Sequence, residues 1–301
     1  MPLSRAATVR PESVTLDDEA HRAAFEFVQS LAAELSRGNV ELPAYPDVAL
    51  RLREVLADEG VTNERVARVI ASDAGLAART LALANSAAYA RGGRPFTDLK
   101  LAVTRIGHDT VRSAALAYAL AQLRAARSLA HLREELAQQW RRSTLVAALA
   151  RVLAVRTRAA PPDATLLAGL LHNVGCVYVL ARAERHSALF TNAAVRDAIL
   201  RDWHAQIGMA VAQNWGLPES VAEAIGEQDT LDRLEATRRD LVDVLCVAVR
   251  VAESHTEPAQ LALALADVPA FHRLALDQAT LEAALAESAE EISGLRAALG
   301  D

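Results

Sequence analysis

The sequence predicts an all-α protein, and three observations predict it. Apolar residues recur at helical spacing along almost the whole chain, and side chains that cap helices stand ahead of many of those runs. No segment sustains the period-two alternation of a half-buried strand. Alanine richness fits the same class, because a small side chain with little entropy to lose lets helices pack closely. With 301 residues, 52% of them hydrophobic, the chain is long enough to bury a large core.

The elements follow in order. Residues 1–15 show no periodicity and read as a tail, after which Asp17 and Asp18 favour a helix start near the positive end of its dipole. Ala24, Val28, Leu31 and Leu35 share one face of that N-terminal helix, over residues 16–39, and Gly38-Asn39 ends it. Glu41 to Pro46 forms a turn whose second proline suits the start of a helix buried through Val48, Leu52, Val55 and Leu56. Thr62 or Asn63 caps a short helix with Val66, Val69 and Ile70 inward, and Ser72-Asp73 caps the next, through Leu83. Thr97-Asp98 caps another. After Gly107 the Asp109 side chain is placed to cap a long Ala/Leu helix to about Leu123, which makes His108-Asp109 a capping dipeptide.

A helix spans about His131 to Val155, and Pro161-Pro162-Asp163 separates the halves of the chain and starts the helix that carries Leu170 to Gly175. A later helix runs from about Arg196 to Trp215, where Gly216 ends it and Pro218 starts the next. Arg238 to Ser254 follows, then two amphipathic stretches between Ala259 and Leu299. Trp140, Trp203 and Trp215 are expected to anchor helix packing, and Asn85-Ser86 to hydrogen-bond backbone near a helix end. Arg91-Gly92-Gly93-Arg94 reads as a turn, since no phosphate-loop lysine follows it.

Composition narrows function. The net charge of −6 opposes a large phosphate-binding face, so nucleic acid ranks last among partners. The apolar stretches Leu116–Leu123 and Leu145–Val155 are interrupted by Gln122 and Arg151, so no transmembrane helix and no membrane partner are expected. The start of the chain lacks an apolar leader, and a cytoplasmic location is the expectation. Cys176 and Cys246 lie inside apolar helical patterns and read as reduced core residues. Lys100 is the only lysine, which leaves one candidate for any lysine-dependent mechanism.

Several stretches together resemble the HDOD family, the HD-related output domains. They are Leu42-Pro43-Ala44-Tyr45-Pro46, the Asp73-centred run Ile70–Arg79, and Leu83-Ala84-Asn85-Ser86. They continue with Ile106-Gly107, Gly169-Leu170-Leu171-His172-Asn173-Val174-Gly175, and Trp215-Gly216-Leu217-Pro218. The resemblance covers residues 40–255, with an N-terminal helical bundle lobe at 40–125 and an HD-like lobe at 130–255, followed by a C-terminal helical extension at 256–301. It implies a multi-helical bacterial signalling domain related to HD metal phosphohydrolases.

What the resemblance implies about chemistry is erosion. The paired His-Asp of active relatives falls on His172-Asn173, and an amide is a poorer ligand for a divalent ion than a carboxylate. An earlier histidine would fall near Trp140 to Thr144, where none stands, and the closing aspartate maps to Val249, with Asp243 and Glu253 out of register. In relatives that cleave cyclic dinucleotides an added lysine would stand at Cys176, a later histidine matches His204, and paired histidines map near Glu227-Gln228-Asp229.

The resemblance thus implies a vestigial pocket of His172, Asn173, His204, Gln228, Asp229 and Val249, with no catalytic residue, resident metal or cofactor. Leu42, Pro43, Pro46, Asp73, Asn85, Ser86, Gly107, Gly175, Trp215 and Pro218 are implied to be structural. The expected function is a regulatory output module acting on signalling proteins of unknown identity, with room for a nucleotide ligand. The alternative is a metal-dependent phosphohydrolase or phosphodiesterase with a remodelled site, using His172, His204 and an acid such as Asp229, Asp243 or Glu253.

Overall fold

A computed structural model describes residues 18–37, 46–58, 60–90, 94–183, 193–231, 233, 239–254, 261, 265–266 and 268–301. Among these the regular elements are all helices: α1 (Asp18–Ser36), α2 (Asp47–Leu56), α3 (Asn63–Ile70), α4 (Ala74–Ala84), α5 (Leu99–Ala125), a short 3-10 turn (Arg127–Leu132) and α6 (Arg133–Thr157). After them come α7 (Pro162–Leu171), α8 (Val174–Ala183), α9 (Ala193–Asn214), α10 (Glu219–Glu227), α11 (Leu241–Ser254), α12 (Pro269–Arg273), α13 (Gln278–Glu287) and α14 (Ala289–Leu299). The sequence expectations for Leu42, Pro43 and the Arg91-Gly92-Gly93 turn lie outside the described residues.

Local chemistry explains several helix starts. The side chains of Thr62, Asp73, Asp98 and Asp277 accept from the amides of Arg65, Leu76, Leu101 and Thr280, and each such cap contributes about 1 kcal/mol. Pro46 precedes α2 with its carbonyl accepting from Ala49, and Pro162 opens α7 where its missing N–H costs nothing. Asp73 also accepts from the Tyr118 hydroxyl at 3.0 Å, so a capping residue of α4 doubles as a tie to α5. Asn85 bonds both backbone groups of Phe96, at 2.7 and 2.9 Å, and Ser86 donates to the Leu83 carbonyl, which closes the segment between α4 and α5.

The core is one continuous cluster from Phe27 on α1 to Leu299 on α14. Helix α5 packs on α2, α3 and α4 on one side and on α7 on the other. Helix α6 buries Ala147, Ala148, Ala150 and Ala154, and a Cβ added to Gly169 of α7 would stand 2.6 Å from the Cα of Ala147. Small residues on both helices thus set the closeness of α6 to α7.

The terminal segments cross over. Helix α1 packs on α9, far along the chain, and its Glu34 pairs with Arg182 of α8. Helix α14 packs on α4 and α6, where Glu291 pairs with Arg151, and the indole of Trp140 donates to the Gly300 carbonyl at 3.1 Å.

Several expectations are corrected. The run through residues 162–183 is two helices, because the chain turns at His172-Asn173. Residues 162–182 are by length and composition apolar enough to cross a membrane, but 83% of that stretch is buried inside the protein, so its hydrophobicity is used by the core. Gly107, at φ 75°, ψ 169°, breaks the run of α5, while Asp109 pairs with Arg112 and His108 bonds Asn63. Trp140 and Trp215 are buried, but Trp203 is 38% exposed and anchors no core. Among the described residues after 267 the chain forms three short helices, α12 to α14, where two amphipathic stretches were expected between Ala259 and Leu299.

Candidate functional site

The site grows from the turn between α7 and α8. His172 closes α7, and its Nδ1 lies 2.8 Å from the Gly169 carbonyl. A carbonyl only accepts, so Nδ1 carries the proton and Nε2 is left with a buried lone pair that has no partner among the described residues. Burial, then the nearby charge of Arg142, hold the imidazole far below its usual range, at about 3, and the backbone bond that favours protonation does not offset them. Asn173 donates from Nδ2 to Oε1 of Gln139 on α6 at 2.8 Å.

Gly175 brings the second histidine to the first. A Cβ at this position would overlap the His204 carbonyl of α9 outright and stand 2.8 Å from the Gly208 amide, so only glycine lets α8 and α9 cross this closely. Gly216, at φ 65°, ends α9 with the Leu217 amide bonded back to Ala212, and Pro218 then starts α10. That sharp exit places Gln228 and Asp229, after α10, opposite α9. Gln228 is fully buried and donates from Nε2 to the carbonyls of His172 and Ile225, both at 2.8 Å.

These elements enclose a cleft of about 470 Å³ lined by α6 (Gln139, Arg142), the α7–α8 turn and α8 (Asn173, Cys176), α9 (Leu200, Arg201, His204), Gln228 and Asp229, and α11 (Val249, Arg250, Glu253). Of the six residues assigned to a pocket from sequence, five line the cleft, and His172 sits behind it with its carbonyl held by Gln228. Of the ten assigned structural roles, Pro46, Asp73, Asn85, Ser86, Gly107, Gly175, Trp215 and Pro218 are described, all of them outside the lining.

Charge in the cleft is organised as a chain of pairs. Glu253 gives Oε1 to Arg142 at 2.6 Å and Oε2 to Arg250 at 2.8 Å. Arg250 reaches Asp229 at 2.8 Å, whose other oxygen lies 3.2 Å from His204 Nε2. Asp243 is elsewhere: fully buried at the start of α11, it is gripped by Arg233 and by Arg273 of α12. Burial pushes the Cys176 thiol at the cleft wall up to about 12 and that of Cys246 in the core to about 11, which favours the neutral thiol at both.

The donor set does not fit the divalent metal of the related HD enzymes. Among the described residues no group of three or more His, Cys, Asp or Glu side chains is arranged to hold one. Both carboxylates of the cleft are already bonded to guanidiniums, and the permanent charge of Arg142 acts on the unpartnered Nε2 of His172. A guanidinium cannot be deprotonated to make way for a metal.

Sequence reasoning missed Arg250, Gln139 and Arg201, gave Arg142 no part in the pocket, and weighed Glu253 only as an alternative metal-site acid beside Asp229 and Asp243. A signal was present for one pair: Arg250 and Glu253 stand three apart at the end of an otherwise apolar helix and are neighbours on its surface. Nothing local marks Arg142 and Glu253, which meet across 111 residues of chain.

Comparison with known proteins agrees with this architecture. The chain is 28% identical to a protein from Shewanella amazonensis SB2B provisionally named a metal-dependent phosphohydrolase, with a TM-score of 0.74 over 92% of this chain and 99% of that one. It is 25% identical to an HDOD domain protein with unknown function from Geobacter sulfurreducens, with a TM-score of 0.56 over 92% of this chain and 98% of that one. An uncharacterized protein of Treponema pallidum (strain Nichols) is 29% identical over 232 residues, which are 72% of this chain, and the match spans only 43% of that protein's length. The HDOD domain model matches residues 42–231, most of the segment that builds the cleft, and the chain belongs to the HDOD domain family.

Proposed function

We propose that this chain is a signal-transduction module that regulates by binding a partner protein, and that it does not hydrolyse phosphoesters. One observation carries the reading. The cleft in which metal phosphohydrolases gather imidazoles and carboxylates holds instead the alternating series Arg142, Glu253, Arg250, Asp229, His204. Positive charge that a metal would supply comes from guanidiniums fixed on α6 and α11. A guanidinium can hold an anion, but it cannot generate a hydroxide nucleophile as a metal-bound water does.

The helix that carries this series also links the cleft to the end of the chain, since α11 bears Arg250 and Glu253 at one end and Asp243, the anchor of Arg273, at the other. A partner that seats against either end therefore acts on the same rigid element. The alternative reading, a phosphohydrolase with a remodelled metal site, draws on the unpartnered Nε2 of His172 and on the provisional name of the Shewanella relative.

One experiment separates the two. The protein is purified without chelator, its metals are measured by inductively coupled plasma mass spectrometry before and after loading with manganese, iron or zinc, and turnover is assayed on a panel of phosphoesters, with His172→Ala beside the natural chain. Sub-stoichiometric metal that the substitution leaves unchanged, with no turnover, is the expected result. About one metal per chain, lost in His172→Ala and accompanied by hydrolysis, overturns the proposal.

A further inference from the structure

We infer that the cleft takes a small organic phosphate that also presents an N–H donor on a planar ring, the chemistry of a nucleoside monophosphate, held by guanidiniums and by Gln228. This rests on the reading of the site as one that works without a metal.

The first support is charge. Three guanidiniums line the cleft, from Arg142, Arg201 and Arg250, against two carboxylates, from Asp229 and Glu253. Glu253 lies across two of them with one oxygen on each, at 2.6 and 2.8 Å, which is how two oxygens of a phosphate bridge a pair of arginines. Its side chain is 35% exposed, so it can swing out to solvent and leave both guanidiniums to an incoming anion. Arg201 stands on the rim, its side chain 71% exposed, and its guanidinium bonds its sequence neighbour Asp202.

The second support is unmet hydrogen bonding. Among the described residues six buried side-chain polar atoms lack a partner; three belong to residues lining the cleft, Arg142 Nε, Gln228 Oε1 and Arg250 Nε, and a fourth, His172 Nε2, to the residue behind it. A buried polar atom left unpaired costs about 1–3 kcal/mol, so such a concentration points to a ligand. Gln228 is the informative one. Its amide nitrogen is committed to two carbonyls, which fixes the orientation of the amide, because a flip would set oxygen against oxygen. Gln228 Oε1 is therefore an acceptor, and what answers it must be a donor. The doubly ionised phosphate of a monoester offers none, so the donor comes from another part of the ligand.

The third support is shape. A volume of about 470 Å³ suits a ligand larger than inorganic phosphate, and Leu200, Cys176 and Val249 give an apolar wall against which a flat ring packs.

The test uses the full chain, titrated calorimetrically with guanosine monophosphate, guanosine and inorganic phosphate, with metal content measured on the same preparation. Guanosine monophosphate is expected to bind more tightly than either fragment. Glu253→Gln removes the internal competitor and is expected to tighten guanosine monophosphate and phosphate by about tenfold, while the rim variant Arg201→Gln weakens both. Gln228→Leu brings guanosine monophosphate down to the affinity of phosphate; the two surface variants decide the matter if this core variant does not fold. No binding to the metal-free natural chain and to Glu253→Gln overturns the ligand assignment alone. Equal affinity for guanosine monophosphate and phosphate also overturns it. Binding that requires about one metal per chain and is lost on chelation overturns the metal-free reading together with the ligand.

Discussion

The two ends of α11 carry the same chemistry to opposite purposes. At its start, Asp243 is fully buried and takes bonds from Arg233 and from two nitrogens of Arg273, at 2.5 and 2.9 Å, while Asp240 pairs with Arg233 and accepts from the Asp243 amide. At its end, Arg250 and Glu253 are part-exposed, face a cleft, and stand among atoms that lack partners. A closed, satisfied network ties α12 to the body of the protein. The open, unsatisfied one is the surface we propose for binding. The arginine–carboxylate pair does not by itself announce which role it plays; the count of unmet bonds and the access of water do.

That contrast is most exposed to refutation at Asp243. Replacing it with alanine strands two guanidiniums whose partner was buried, and a loss of about 3–5 kcal/mol in a denaturant titration is expected. A loss below about 1 kcal/mol would make the closed network as dispensable as the open one. Gly175→Ala should cost a similar amount, about 3 kcal/mol or more, because the new methyl overlaps the His204 carbonyl and neither backbone has room to retreat. Its circular dichroism melt should fall well below that of Gly300→Ala, where the neighbour is the end of an arginine side chain and the strain comes only from a φ of 87°.

Acid provides a third, intermediate effect, on the cleft side. His172 in the folded chain is held at about 3, below its unfolded value near 6.5, so in acid the unfolded state binds the proton that the folded state refuses. Stability therefore falls as pH drops from about 6.5 towards about 3, with a slope approaching about 1.4 kcal/mol per pH unit from this group. His172→Gln should flatten the pH dependence of the melting temperature in that window; an unchanged profile would show that the imidazole is not held neutral. The smallest effect is at Glu253, where the Gln variant should change stability by less than about 1 kcal/mol because both of its pairs are part-exposed.

Individual residues show how far sequence reasoning reached. Thr62, Asp73, Asp98 and Pro162 were legible as helix starts because each acts within about four residues of itself. Family resemblance grouped Asn173, His204, Gln228, Asp229 and Val249 with His172, and the first five line one cleft while His172 sits just behind. Trp203 misled, because a tryptophan in an amphipathic pattern reads as core whichever side of the helix the tertiary packing later leaves in solvent.

What sequence alone determined is the class of the fold and the order of its helices. These depend on side-chain periodicity, capping and residue identity, all of which act locally or are read directly. Tertiary structure alone decided that Glu253 and not Asp243 enters the cleft, that Arg142 meets a carboxylate 111 residues away, and that α14 closes on α4 and α6 through Glu291 and Gly300. The reason is physical: a charge on a helix has several neighbours within reach, and only the angle and closeness at which helices pack, set here by contacts such as Gly175 on His204, select which of them it meets.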